Sequence, residues 1–321
     1  MRLIREEKTF IREAVLLMLP MILQNFVTFS MSMADTFMVG VLGETALAAV
    51  TMANSPFYVM QLMIFGVQSG MSVLVAQYHG RGDQEAINRV MGIAFFVSTT
   101  ITGLLAVTAF CIPEQIMRVL TNNADLVAPG AAYTRYVGFS YFFSAISGVY
   151  IAAQRSTENP RLGAVLLTVS GALNIFLNWV LIYGKLGAPM LGCAGAAIAT
   201  VLAQLLSTIG CFCYAFARYP KLRLHREDWA ITRHDIGQHA FQGIPLGLQF
   251  SVLAIGIIVV QSVVVKFDIL DGQMVSNAAQ NGFGAANKFT GSLMTLLNGL
   301  GTAMTSFVAQ NLGAGNFERI R

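Results

Sequence analysis

Long apolar stretches, separated by short polar segments, run along almost the whole chain. Eight of these stretches hold about 20 or more mostly apolar residues, enough for a helix to cross roughly 30 Å of hydrocarbon. They cover about residues 14–40, 47–77, 90–112, 129–153, 163–183, 194–217, 243–266 and 278–311. Because a barrel strand would be about half as long, the pattern predicts an all-α polytopic membrane protein.

The composition places the protein in a lipid bilayer. Of the 321 residues, 55% are hydrophobic and 11% are charged, whereas soluble domains carry about 25% charged residues. So few charges could not cover the surface of a soluble globule. The composition therefore excludes a cytosolic enzyme, a disordered chain and a nucleic-acid-binding protein. The four cysteines are too few for a disulfide framework in a chain of this length.

The basic residues predict the orientation. If the N-terminus is cytoplasmic, the inner segments hold 15 of the 20 Lys and Arg, and the outer loops hold three. Basic residues accumulate on the cytoplasmic side of membrane proteins. We therefore expect a multi-pass protein of the cytoplasmic (inner) membrane with its N-terminus inside.

An internal repeat predicts the domain organisation. Residues 66–85 and 299–318 are identical at eight of 20 positions, and LPMILQ (19–24) aligns with IPLGLQ (244–249). Six spans separate the copies, so both run in the same direction, as in a parallel repeat. We predict a six-helix N-terminal lobe (1–217), a basic cytoplasmic linker (218–240) and the first two helices of a C-terminal lobe (241–321). Residue 321 aligns with residue 88, so we expect the chain to be C-terminally incomplete.

Asp35 is the acidic residue that lies well inside a predicted span. A charged Asp at the bilayer centre costs about 2.5–3.5 kcal/mol on the insertion scale, so it should face the bundle interior or a cavity. Asn174 and Asn178 are four residues apart and share one helix face. They could give a sodium ion neutral oxygen ligands or hold a proton on Asp35. The alternative is that they only join helices by hydrogen bonds.

Other polar residues of the spans are candidates for a substrate cavity. Gln24 and Gln249 each follow a proline by four residues, and a kink there frees backbone groups that favour a cavity. The complete set assigned to the cavity is Gln24, Asn54, Gln68, Gln249 and Asn287. The cysteines and histidines lack the spacing of a metal site. We assign no catalytic residue and no metal ligand, and we expect neither enzymatic activity nor a cofactor besides a coupling ion.

Three motifs together resemble the multidrug and toxic compound extrusion (MATE) family: MADTFMVG at 33–40, VAQ-x-x-G-x-G at 75–82, and the Asn-containing segment 172–200. The resemblance implies efflux of amphipathic, cationic small molecules in exchange for inward Na⁺ or H⁺, by alternating access of two lobes. It implies that Asp35 binds the cation or proton, with Asn174, Asn178 and Thr200 as partners. We expect such a protein to act as a monomer.

A second hypothesis is a flippase for a lipid-linked oligosaccharide or a related amphipathic precursor. Such proteins carry several basic residues in a central cavity to meet a pyrophosphate. Within the predicted spans this chain offers only Arg135 and Lys288, so the antiporter ranks first. A passive channel and an intramembrane enzyme rank lower, because the spans hold one carboxylate and no histidine.

Overall fold

The chain folds almost entirely into α-helices. A computed structural model describes residue 19 and residues 23–121, 124–157, 161–217, 232–265, 267, 269–270, 273–274 and 278–319. The predicted all-α class is confirmed. The helices are α1 (23–40), α2 (Glu44–Arg81), α3 (Gln84–Cys111), α4 (Pro113–Leu120), α5 (Ala124–Ser156), α6 (Arg161–Tyr183), α7 (Gly192–Ala217), α8 (Arg233–Val265) and α9 (Ala278–Gly313).

Where the structure describes the predicted spans, each one overlaps a single long helix. Among the described residues, α2, α3, α5, α6 and α7 are long and apolar enough to cross a membrane. Several helices extend past the apolar runs: α2 continues to Arg81, and α5 continues to Ser156. A helix satisfies its own backbone hydrogen bonds, so it continues through polar residues until a capping residue ends it.

The short helix α4 lies in a segment predicted to be a loop. Pro113 stands at its start, where a missing N–H costs nothing, and Glu114 and Arg118 suit the two ends of the helix dipole. Met117 is buried against Gly130 of α5. With eight residues, α4 is too short to appear in a search for membrane spans.

Glycine and aspartate end α2 and start α3. Gly82 adopts the left-handed conformation, with φ of 76°, that glycine tolerates without strain. The Asp83 carboxylate then accepts a hydrogen bond from the Ala86 N–H at 3.0 Å and caps α3. The segment Gly80-Arg81-Gly82 is therefore the end of a helix and the start of a turn.

Helix α5 lies at the centre of the first six long helices. It packs against α2, α3 and α7, and α6 packs against α7. One buried cluster joins α2, α5 and α7 around Phe57 and Val137, and a second surrounds Met71, Met91 and Val149. These contacts set the depth at which polar side chains of neighbouring helices meet.

Helix α8 begins at Arg233, inside the segment predicted as a linker; residues 218–231 lie outside the described part of the chain. Thr232 and Asp235 cap the helix reciprocally, because each side chain accepts a hydrogen bond from the other residue's N–H. The first turns then contact the first repeat. The Tyr78 hydroxyl donates to Gln238 Oε1 at 2.7 Å, and Arg89 lies 4.0 Å from Asp235.

Helices α8 and α9 both pack on α2, with little contact to each other. Gly66 and Gly70 of α2 meet the α8 backbone at Gly247 and Gly243, so closely that a Cβ at either position of α2 would collide with it. Between α8 and α9, Ile269–Leu270 pairs antiparallel with Gln273–Met274. This hairpin lies where the second repeat carries its extra residues.

Candidate functional site

The carboxylate of Asp35 meets an amide of α6. Asp35 is half-buried on α1, and the Nδ2 of Asn178 donates a hydrogen bond to its Oδ1 at 2.5 Å. The Tyr183 hydroxyl donates to the Met38 carbonyl at 2.9 Å, which fixes α1 against α6 one turn further along. This half-buried carboxylate therefore accepts a hydrogen bond from a neutral donor.

A chain of hydrogen bonds leads from Asp35 across three helices. The Nδ2 of Asn178 also donates to Asn174 Oδ1 at 3.3 Å, and the Nδ2 of Asn174 donates to Thr200 Oγ1 at 3.3 Å. Both asparagines are 1% exposed. The structure thus brings together the four residues predicted for the cation or proton site, on α1, α6 and α7. Their role in ion binding stays a prediction.

The network leaves one buried oxygen available. Asn178 Oδ1 has no hydrogen-bond partner among the described residues. A carboxylate, an amide carbonyl and a hydroxyl are hard oxygen donors of the kind that alkali and alkaline-earth cations prefer. No group of three or more His, Cys, Asp or Glu side chains suited to a metal occurs in the described ranges. The arrangement therefore fits a singly charged ion or a proton better than a tightly held divalent metal.

A cavity of about 430 Å³ lies beside this network, enclosed by α1, α2, α5, α6 and α7. Asn54 and the Tyr133 hydroxyl hydrogen-bond each other there at 3.2 Å. Tyr141 stacks on Phe57 with ring centroids 5.0 Å apart. We call this space the Asp35 cavity; its polar lining includes Asp35, Thr36, Asn54, Tyr133, Asn174, Thr200 and Gln204.

A second cavity, of about 530 Å³, lies between the two repeats. We call it the inter-repeat cavity. Its lining contains pairs of residues that the sequence repeat relates: Ser69 with Thr302, Ser72 with Thr305, Phe65 with Asn298, and Asn25 with Phe250. Equivalent positions of both copies of the repeat therefore face one space.

Comparison with known proteins shows the family. The MatE family model matches residues 20–180 and 254–321. This chain belongs to the MatE family. It is 26% identical over 314 residues to the probable multidrug resistance protein YoeA of Bacillus subtilis, covering 97% of this chain and 66% of that protein. It is 23% identical over 322 residues to the probable multidrug resistance protein NorM of Thermotoga maritima, covering 98% of this chain and 66% of that protein.

Solved structures show the same fold. A MOP superfamily transporter from Pyrococcus furiosus superposes with a TM-score of 0.84 at 21% identity, over 96% of this chain and 66% of that one. The outward-facing conformation of a multidrug resistance MATE family transporter gives a TM-score of 0.83 at 22% identity, with the same coverage. This MatE chain thus spans about 66% of the length of these relatives.

The five residues predicted for a substrate cavity do not lie together in this MatE chain. Gln249 lines the inter-repeat cavity, and Asn54 lines the Asp35 cavity. Gln24 is buried against Gly163 of α6, and Gln68 lies against Gly148 of α5, so neither is among the lining residues of the two cavities. The side chain of Asn287 lies outside the described residues.

The physical reason for the difference is helix phase. Gln24 and Asn25 are adjacent on α1 and point about 100° apart. The proline spacing indicated Gln24, but the helix turns Asn25 toward the inter-repeat cavity. Gln24 and Gln68 instead fill spaces that glycines of neighbouring helices leave open.

Sequence reasoning missed Arg155, which lines the inter-repeat cavity. It follows the apolar run of the fourth predicted span by two residues, so the pattern placed it in a cytoplasmic loop. Helix α5 continues to Ser156 and carries Arg155 into the bundle. A signal for this was available: Gln154 to Thr157 contain no helix-breaking residue, and Pro160 is the next one along the chain.

Proposed function

We propose that the full-length gene product is a secondary active antiporter that exports amphipathic compounds in exchange for inward Na⁺ or H⁺. The two repeats would expose the inter-repeat cavity alternately to the two sides of the membrane. The names of curated relatives support the choice, since several are described as multidrug resistance proteins.

One observation carries this proposal: the hydrogen-bonded chain from Asp35 through Asn178 and Asn174 to Thr200, beside a cavity. An ionisable residue that faces a cavity within a transmembrane bundle is a functional site by default. Moving one charge inward across 100 mV releases about 2.3 kcal/mol, enough for roughly a 50-fold gradient of an exported compound without net charge. Export of a singly charged cation instead draws on the concentration gradient of the coupling ion.

The setting follows from the same features. We propose that the protein lies in the cytoplasmic membrane with a cytoplasmic N-terminus, because that orientation puts 15 of 20 basic residues inside. We propose that it acts as a monomer, without enzymatic activity and without a cofactor besides the coupling ion. Cationic amphipathic molecules are the proposed substrates.

The flippase ranks second on one observation. A pyrophosphate needs several basic groups, and the described lining of the inter-repeat cavity contains one basic residue, Arg155. A single basic side chain suits a ligand with less negative charge than a pyrophosphate.

The test is efflux of ethidium from cells that produce the full-length protein, with Asp35→Asn compared with Glu85→Gln. Glu85 is a carboxylate on the exposed surface of α3, away from both cavities. We expect Asp35→Asn to abolish efflux and Glu85→Gln to retain it. Sodium is varied at fixed pH and pH at fixed sodium, and the ion that drives efflux is the coupling ion.

Equal efflux by Asp35→Asn and wild type would show that Asp35 only joins helices. Absence of ethidium efflux from every variant, with normal amounts of protein in the membrane, would favour the flippase.

A further inference from the structure

Among the residues that the structure describes, the lining of the inter-repeat cavity carries a positive charge without a negative one. Among the described residues that line it, Arg155 carries a formal charge, and none is a carboxylate. Asp35, the buried acid, lies in the other cavity. A ligand that offers only a positive charge would therefore meet a like charge in the inter-repeat cavity, where low dielectric strengthens the repulsion.

Arg155 has hydrogen bonds to offer. Its Nε is buried and has no hydrogen-bond partner among the described residues, and none of the described carboxylates lies within ion-pair distance of it. A guanidinium has five N–H donors and no acceptor, and it remains charged in proteins. Leaving such a group unpaired in a bundle is costly, so the site favours a partner that accepts hydrogen bonds and carries negative charge.

A second donor points to the same ligand chemistry. Ser72 of α2 also lines the cavity, and its hydroxyl is buried without a partner in the described part of the chain. A planar guanidinium fork suits the geometry of an oxyanion, such as a carboxylate, sulfonate or phosphate, and a hydroxyl that lines the same cavity is a further donor for it.

The rest of the cavity is suited to an apolar or aromatic body. Phe65 of α2 and Phe250 of α8 meet edge to face, with centroids 4.6 Å apart, and Leu62, Leu246 and Leu297 complete this part of the lining. Aromatic rings in this arrangement present both faces and edges to a flat ligand. An amphipathic compound could place its ring system here and its anionic group toward Arg155.

We propose that the inter-repeat cavity selects amphipathic compounds that carry an oxyanion, and that Arg155 is the residue that binds this group. The inference rests on the proposed function and narrows its substrate class: a cationic compound is preferred when it is also an acid, that is, a zwitterion. The Asp35 cavity serves the coupling ion, and Arg155 serves the substrate.

The test uses two dyes that differ by one methyl group. Rhodamine 110 has a free carboxylate, and rhodamine 123 is its methyl ester, with the same cationic ring system. Binding of each dye to the purified full-length protein, in nanodiscs of phosphatidylcholine, is measured by fluorescence anisotropy without an ion gradient. We expect wild type to bind rhodamine 110 at least about tenfold more tightly, because charge-assisted hydrogen bonds are the strong ones.

Arg155→Gln should remove this preference by weakening rhodamine 110 about tenfold, with less than a twofold effect on rhodamine 123. Arg161→Gln is the matched control, since it removes an exposed arginine from the start of α6 and should keep the preference. Arg155→Lys retains the positive charge and should keep part of the preference for rhodamine 110. This variant covers the case in which Arg155→Gln does not fold.

Two results would overturn the proposal: equal affinity of wild type for both dyes, or an unchanged preference in Arg155→Gln. Adding phosphatidylglycerol to the nanodiscs separates two sources of the oxyanion. If phosphatidylglycerol weakens the binding of rhodamine 110, a lipid headgroup reaches Arg155. If the binding is unchanged, only soluble compounds reach Arg155. The dye-binding assay uses no ion gradient, whereas the efflux assay depends on one. A failure of the antiport proposal, seen as unimpaired efflux by Asp35→Asn, is therefore distinguishable from a failure of this one.

Discussion

At the scale of single residues, two partly buried charges of opposite sign line two different cavities. Asp35 lies beside neutral amides and hydroxyls of α6 and α7. Arg155 lies on the last turn of α5, next to the space between the repeats. Placing the acid and the base apart prevents them from neutralising each other. Neither charge has an oppositely charged side chain within ion-pair distance among the described residues, which suits a protein proposed to exchange an ion for a different molecule.

We expect the stability of the folded protein to depend on pH through a third ionisable residue, the buried His239. His239 is 6% exposed, on the second turn of α8 beside Val67 of α2. Burial lowers the pKa of its imidazole below the ordinary value of 6.5. The unfolded chain then binds more protons than the folded one in mildly acidic solution. Its contribution to stability is full above about pH 6.5 and is lost as the pH falls toward the folded pKa.

We therefore expect the melting temperature of the full-length protein to fall by a few degrees between pH 7.5 and pH 5.5. His239→Leu should reduce that fall, because the variant has no imidazole to protonate. His79→Gln, at a partly exposed histidine near the end of α2, should leave it unchanged. Thermal unfolding followed by intrinsic fluorescence measures all three. An identical pH dependence in His239→Leu and wild type would refute the assignment.

At the scale of helices, α2 and α9 cross in a reciprocal way. Gly80 of α2 lies against the backbone of Gln310 and Ala314, and Gly313 of α9 lies against the backbone of Gln77. The sequence repeat relates Gln77 to Gln310 and Gly80 to Gly313. Such mutual contact is the mark of a two-fold interface, here within one chain. A side chain at either glycine would collide with backbone of the other helix.

Gly80→Ala should destabilise the full-length protein, because its methyl group would collide with a helix backbone that has no rotamer to change. Overpacking of this kind costs about 1–3 kcal/mol. Gly103→Ala on α3 is the matched control, since its methyl group would meet Phe142 at an ordinary 3.5 Å. Alanine also favours a helix over glycine, so this control should be neutral or stabilising. Melting temperatures of detergent-purified protein test the pair, and equal values would contradict the close crossing.

At the scale of the whole molecule, successive long helices are joined by polar connections that differ in their content of basic residues. The basic residues Arg81 and Arg89 flank the turn between α2 and α3. The connection between α6 and α7 contains one basic residue, Lys185. The distribution of basic residues predicts that the first turn is cytoplasmic and the second is external.

Single cysteines test this orientation. In a version without the four native cysteines, Lys185→Cys should react with a membrane-impermeant maleimide in intact cells. Glu85→Cys, which is also exposed, should react only after the membrane is made permeable. Labelling of Glu85→Cys in intact cells would mean that the orientation is inverted.

The sequence by itself determined the helices and the repeat, and it indicated Asp35 as the candidate for the ion site. Each depends on information that lies along the chain: long apolar runs, identical residues at a constant offset, and one acid in an apolar segment. The spacing of Asn174 and Asn178 placed both amides on one helix face, and the family resemblance added Thr200. Helix α4 escaped this reasoning because eight residues fall below the length of a span.

Only the tertiary structure decided which polar residues share a space. Helix rotation and helix length are set by packing between helices, and a change of one position turns a side chain by about 100°. This is why Asn25 rather than Gln24 lines the inter-repeat cavity, and why two of the five residues predicted for a substrate cavity fill gaps beside glycines. It is also why Arg155, which the pattern assigned to a loop, lies on a helix that reaches the cavity between the repeats.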